Sequence, residues 1–274
     1  VYQTLEFEKY RAPSPSTWHS ATELPRVLME LYSLFYTWPL LGAAPRGDGH
    51  PVLVLPGFAA GDESTAVLRR YLARLGYQPL PWGLGRNTGS FELQEQLVRA
   101  FYTLTRAHSR RISIVGQSLG GVFARELARQ FPDHVRFTVT LGSPFSSAGP
   151  ESANGTVARL FQYMSGMTQD EMRDQMLGYP PEPPPVPSTA IYSKSDGVVH
   201  WSSCLEYPGT QAENIEVIAS HTGMAMNPVV YHVIADRLAQ PERDWKPFER
   251  TRGWREFVYP QPERKPRQVP VCAN

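Results

Sequence analysis

From residue 50 onward the chain alternates short apolar runs with amphipathic stretches. Pro51–Leu55 (PVLVL) is wholly apolar, as expected for a strand buried on both faces. Residues 63–75 (ESTAVLRRYLARL) repeat their apolar positions with helical period, and Gly76 supplies a C-terminal stop. Tyr77–Trp82 reads as a Pro-interrupted edge strand. Residues 92–108 predict a second helix with Leu93, Leu97, Phe101 and Leu104 along one side. Ile112–Val115 predicts another buried strand, and 119–131 a third helix ended by Phe131-Pro132. Val135–Leu141, Ala190–Ser193 and Ile215–Ala219 predict further strands, and residues 228–239 a last helix with Pro228 near its first turn. Strands alternating with helices predict an α/β fold, a mainly parallel sheet with helices on both faces.

That rhythm is absent in three places. Residues 1–25 show no period and predict an irregular arm. Residues 26–37 (RVLMELYSLFYT) predict a helix stopped by Pro39, with Val27, Leu28, Leu31, Leu34 and Phe35 on a face expected to pack on the body. Together, 1–45 form an N-terminal arm and helix. Residues 46–145 and 188–240 form the α/β core, interrupted by 146–187. This insertion holds Leu160, Phe161, Tyr163, Met164, Met167, Met172, Met176 and Leu177, then a stiff Pro-rich connector, GYPPEPPPVP. A connection of that length inside a compact domain usually carries function, so it is read as an inserted helical cap, or lid. Residues 241–274 form a tail rich in Pro and Arg that either wraps the surface or is partly disordered.

Composition narrows the function classes. With 41% apolar and 19% charged residues among 274, the chain supports a sizeable core and is not globally disordered. Lys plus Arg number 27 and Asp plus Glu 26, so the net charge of +1 removes the main electrostatic argument for a nucleic-acid partner. Cys204 and Cys272 lie far apart, in no ligand-like spacing, which argues against a metal site. They pair only if the tail folds back; two reduced thiols in a reducing compartment is the favoured reading. The apolar segment from Val27 to Ala44 contains Glu30 and Pro39 and is too interrupted to span a bilayer. The N-terminus VYQTLEFEKY is charged and has no apolar leader run, so a cytoplasmic location is expected, with secretion the alternative if a leader preceded it. The oligomeric state is not legible.

The strongest chemical signal is Gly116-Gln117-Ser118-Leu119-Gly120, between the strand ISIV and a helix. A GxSxG in that context is a nucleophile elbow. Glycines at 116 and 120 remove side chains that would clash in the sharp turn, and the turn lifts the Ser118 hydroxyl above the sheet. A serine needs a base. Of seven histidines, His221 follows a late strand and precedes the last helix, at the sheet edge where such a fold gathers its site. His200 is the rival, His50 lies at the wrong end of the sheet, and His232 sits within a helix. Asp196, in SKSDGVV, directly follows a strand and completes the chain order Ser118, Asp196, His221. Two backbone donors are expected for an oxyanion, Leu119 N–H and Phe58 N–H, the latter in a turn permitted by Gly57. In Trp82-Gly83-Leu84-Gly85-Arg86-Asn87 the glycines read as a turn and Arg86 as an anchor for the surrounding loops.

HPVLVLPGF (50–58), VGQSLGG (115–121), LGSPF (141–145), SKSDGVV (193–199) and SHTGMAMNP (220–228) together resemble a bacterial serine esterase or lipase of the α/β-hydrolase superfamily. The resemblance covers residues 50–240. It implies the α/β-hydrolase fold, Ser118 as nucleophile, His221 as base and Asp196 as acid. Pro56 departs from the pattern, standing where many lipases have His. No cysteine follows His221 in its loop, so a clamp from Cys204, present in some relatives, has no partner there.

The cap is the clue to substrate, because apolar linings favour acyl chains and Met adapts to varied shapes. Gly57, Gln117, Phe145, Phe161, Met164, Met167, Val198 and Val199 are the candidate substrate contacts. Hydrolysis of hydrophobic, lipid-like carboxylic esters is expected, with no cofactor. Acyl transfer to another acceptor, hydrolysis of amides or polyesters, and a non-catalytic ligand-binding module are the alternatives.

Overall fold

The computed structural model describes residues 12–146, 153, 155–168, 171 and 182–263. Its elements run α1 (Thr17–Ala21), α2 (Glu23–Thr37), β1 (Pro51–Leu55), α3 (Asp62–Leu75), β2 (Gln78–Leu80), α4 (Phe91–Ala107), β3 (Ile112–Gln117), α5 (Leu119–Gln130), β4 (Val135–Leu141), α6 (Gly155–Ser165), β5 (Ser188–Tyr192), β6 (Ala212–Glu216), α7 (Pro228–Leu238) and α8 (Arg255–Val258). The helix stops follow local chemistry. Gly76 takes a left-handed conformation (φ 97°) to end α3, and the Asn227 side chain caps α7 by accepting from Val229 N at 2.9 Å.

Six described strands form one parallel sheet in the order β2-β1-β3-β4-β5-β6. β1, β3, β4 and β5 are buried along their whole length, and the edge strands are half-exposed. Alternation along β1 divides the core. Val52 and Val54 face a cluster built from α3 and α7, including Leu68, Leu72, Val230 and Ile234. Leu53 and Leu55 face the opposite cluster, with Phe101 of α4 and Phe123 and Leu127 of α5. Each such fully buried side chain stabilises the fold by about 1.5–3 kcal/mol before entropy is counted.

From β1 the chain steps to one side for β2, then crosses back for β3 on the other. Right-handed crossovers therefore place α3 and α4 on opposite faces and leave a crevice at the carboxyl ends of β1 and β3. The register pairs Leu55 with Gly116, Gln117 with Leu141, and Leu141 with Ile191. The loops that leave these strands thus start at one level.

Four expectations are corrected. The arm before residue 26 contains α1, and α2 begins at Glu23. Of the α2 face expected to pack inward, only Leu34 is buried, while Leu28, Leu31 and Phe35 are exposed. The inward stripe is Glu23, Arg26 and Glu30, whose charges are satisfied by the loops described below. The last strand is Ala212–Glu216 rather than 215–219, because its partner β5 ends at Tyr192, and Val217 N–H bonds the Tyr192 carbonyl at 2.9 Å as the ladder closes. Arg86 is exposed and makes no hydrogen bond among the described residues; Asn87 is the anchor. Within 146–187 a helix, α6, is described, while Met172, Met176 and Leu177 lie outside the described residues, as does Cys272. Cys204 is buried.

Candidate active site

Gln117 closes β3 and Leu119 opens α5, so Ser118 alone makes the turn. Its backbone sits at φ 49°, ψ −122°, a conformation that costs a side-chain-bearing residue about 1–3 kcal/mol. The surroundings hold it there, with Ser118 N–H donating to the Leu141 carbonyl at 2.8 Å. A Cβ on Gly116 would come within 2.3 Å of the Gly120 carbonyl oxygen, and one on Gly120 within 2.6 Å of those of Leu55 and Pro56. Only glycine fits at either place.

Asp196 and His221 are both buried and joined by a 2.7 Å hydrogen bond from Nδ1 to Oδ2. A carboxylate only accepts, so the ring proton is on Nδ1 and the Nε2 lone pair is left for another proton. The second carboxylate oxygen accepts from Val198 N and Val199 N, each at 2.8 Å. Burial pulls the His221 pKa down, but the charge and hydrogen bond of Asp196, with Glu23 adding to them, outweigh it and leave the imidazole above its ordinary value. The two loops are tied further by Ser193 Oγ, which accepts from Ala219 N at 3.1 Å, and by Ser195 Oγ, which donates to the Ala219 carbonyl at 3.1 Å.

Gln117 joins this pair to the elbow. Its Nε2 donates to the carbonyls of His221 at 3.2 Å and Thr222 at 3.3 Å. Ser118 itself is half-buried, and its hydroxyl has no hydrogen-bond partner among the described residues.

The loop after β1 faces Ser118, because a Cβ on Gly57 would lie 3.4 Å from the Ser118 Cβ. Neither Phe58 N–H nor Leu119 N–H is used in a backbone hydrogen bond among the described residues, while the neighbouring Ala59 N–H is taken up by the Asn87 carbonyl at 2.8 Å. Asn87 is fully buried; its Nδ2 donates to the Pro56 carbonyl at 3.0 Å and its own N–H to Ala60 at 2.8 Å. Where Pro56 offers no donor, Asn87 thus holds the loop from the neighbouring strand's exit. The glycines of 82–87 do form a turn, fastened by Asp62, which accepts from Trp82 N and Gly83 N at 2.9 Å each.

Helix α2 straps the back of the acid and histidine loops. Glu23 accepts from Gly197 N at 3.2 Å and Thr222 N at 3.0 Å. Arg26 donates to the Ser195 carbonyl at 2.7 Å. Glu30 accepts from Ser220 N at 2.8 Å and Asn227 Nδ2 at 3.2 Å, and also meets the Ser220 hydroxyl. Burial raises the Glu30 pKa against these hydrogen bonds, which lower it. Neither Asn87 nor the Glu23–Arg26–Glu30 stripe was foreseen. The stripe's spacing, two helical turns of charge on an otherwise apolar helix, was the available signal.

Helix α6 reaches the loop after β1 through Phe161. Its ring lies 5.0 Å from that of Phe58, and a Cβ on Gly89 would come within 2.5 Å of Phe161 and 3.1 Å of the Leu119 side chain. Met167 is buried and Met164 half-buried. Phe145 is buried under the Arg125 guanidinium, 3.8 Å from its ring centre. Val199 packs with Tyr192, Cys204 and Leu205, with Val198 beside it. A cavity of about 520 Å³ lies away from these residues, along β6, between that strand and the segment from Trp245 to Glu263.

Three other histidines are occupied elsewhere. His200 Nδ1 bonds Ser202 Oγ at 2.8 Å, and His232 packs between Trp254 and Tyr259. His50 reproduces the connectivity of a triad, with Nδ1 2.5 Å from Asp48 Oδ1 and Nε2 2.9 Å from Ser113 Oγ. Both His50 and Ser113 are fully buried near the amino ends of the strands, away from the crevice. Among the described residues no group of three His, Cys, Asp or Glu forms a metal-ligand cluster, and no helix is long and apolar enough to cross a membrane.

The architecture is that of the α/β hydrolases. Two solved structures that share it are a monoacylglycerol lipase from Paleococcus ferrophilus (TM-score 0.52, 12% identity, 72% of this chain and 96% of that one) and lipase B from Aspergillus fumigatus (TM-score 0.56, 16% identity, 79% of this chain and 58% of that one). A pyrethroid hydrolase aligns with TM-score 0.50 at 17% identity, over 69% of this chain and 96% of its own. No family model matches the sequence, and no curated protein matches it.

Proposed function

We propose that the chain is a serine hydrolase of hydrophobic carboxylic esters. Ser118 is the nucleophile, His221 the general base, Asp196 the carboxylate that orients it, and Phe58 N–H and Leu119 N–H the oxyanion donors. The observation that carries this reading is the buried Asp196–His221 hydrogen bond, set beside a strained serine at the carboxyl edge of the sheet. The two lipases and the pyrethroid hydrolase that share the fold are consistent with an ester as substrate.

In the reaction the Ser118 hydroxyl attacks the ester carbonyl while His221 Nε2 takes its proton. The negative oxygen is met by the two N–H groups, Leu119 adding the positive end of α5. His221 then returns the proton to the departing alcohol, leaving an acyl group on Ser118, and water repeats the sequence to release the acid. The serine–imidazole contact commonly tightens only when substrate is bound. Phe161 lies over Phe58 and Leu119, so α6 acts as a gate that an acyl chain displaces.

The test is turnover of nitrophenyl esters graded in chain length by the wild type and by Ser118→Ala. The substitution should lower kcat by about 10⁶-fold with folding intact. Equal turnover in the variant would end the serine mechanism.

A further inference from the structure

We propose that the outer face of α2 is the interface of a homodimer, a second copy of this chain being its partner. The inference is independent of the esterase reading. On α2, Leu24, Met29 and Phe35 are 69 to 74% exposed, as are Trp18 of α1 before it and Leu40 just after it, and Tyr32 and Tyr36 of α2 have ring centres 4.7 Å apart. With Leu28, these side chains expose on the order of 1,000 Å² of mostly apolar surface. The largest apolar patch of an ordinary monomer is about 300–600 Å², and a stable interface takes about 800 Å² from each partner.

Charge selects the occupant. The charged residues of α2, namely Glu23, Arg26 and Glu30, are turned to the loops behind it, so its exposed positions carry neither Lys nor Arg. An anionic lipid surface is held by basic residues, and this face offers none. Trp, Met, Tyr and Phe without charge is instead the composition of an interface core. With a net charge of +1, two copies repel each other little. A helix of 15 residues, about 22 Å long, laid against its own copy across a two-fold axis would bury each face against the same face.

Sedimentation velocity of the full chain at micromolar concentration tests this. The wild type should sediment as a species of twice the 30.8 kDa of one chain. Phe35→Glu, and separately Met29→Lys, should sediment as monomers with an unchanged melting temperature, because both positions face outward. A wild type that is monomeric, or a dimer that survives both substitutions, would overturn the proposal. So would a monomer that floats with neutral phosphatidylcholine vesicles, which would assign the face to lipid.

Discussion

At Ser118 the backbone is strained, and in the mechanism we propose the chemistry depends on the His221 imidazole, whose pKa is held above its ordinary value of 6.5. A general base works in its neutral form. The acid limb of kcat/KM should therefore rise through a midpoint above 6.5. Asp196→Asn removes the charge that raises it, leaves burial in control, and should move that limb down in pH while lowering kcat by about 10⁴-fold. A limb that stays in place on this substitution would separate Asp196 from His221. The same shift acts on stability with a fixed sign: the pair's contribution is full below pH 6.5 and fades as pH rises through the folded-state pKa. The turn at Ser118 and the Asp196–His221 contact were legible because each residue sits in a short local signature after a strand. Asn87 and Glu30 were not, because their partners are contributed by distant segments: Glu30 meets Ser220 across 190 positions of sequence.

Helix α2 shows how an element is found and yet misoriented. Its period marked a helix, but two stripes run along it, and apolar content pointed to the wrong one. The charged stripe lies inward because backbone N–H groups of the acid and histidine loops need acceptors, and Glu23 and Glu30 supply them. In the proposed mechanism the strap is a positioning element. Glu30→Ala should lower kcat by up to about 10²-fold with little change in KM, as a displaced imidazole would. Glu30→Gln keeps an acceptor and should restore part of the rate. Equal rates in all three proteins would reduce Glu30 to a role in folding alone. β6 carries a related lesson: its apolar half, 215–219, outlasts its partner strand, so hydrophobicity misplaced a boundary that pairing decides.

Across the whole molecule the parallel sheet was legible, since each strand is a local apolar run and right-handed crossovers leave few ways to join them. The polar network beneath it was not. His50, buried against Ser113 and bonded to the exposed Asp48, which also pairs with the Arg136 guanidinium, has its pKa pushed down to about 4 by desolvation, with Arg136 and Arg110 adding to the effect and Asp48 opposing it. A histidine kept neutral in the fold withdraws stability as pH falls from 6.5 toward 4, in all on the order of 3 kcal/mol. Urea unfolding midpoints across that window should fall with acid in the wild type and fall less in His50→Gln. Parallel curves would contradict the assignment. The network shows that a serine, a histidine and a carboxylate in contact recur where the serine and histidine are fully buried, away from the crevice.

Location at the crevice, rather than connectivity, is what distinguishes Ser118, and covalent labelling reads it directly. Treated with an alkyl phosphonate ester, the protein should gain one phosphonyl group, mapped by peptide mass spectrometry to Ser118, and lose ester turnover in step with labelling. Label on another residue, or full turnover after Ser118 is phosphonylated, would contradict the account.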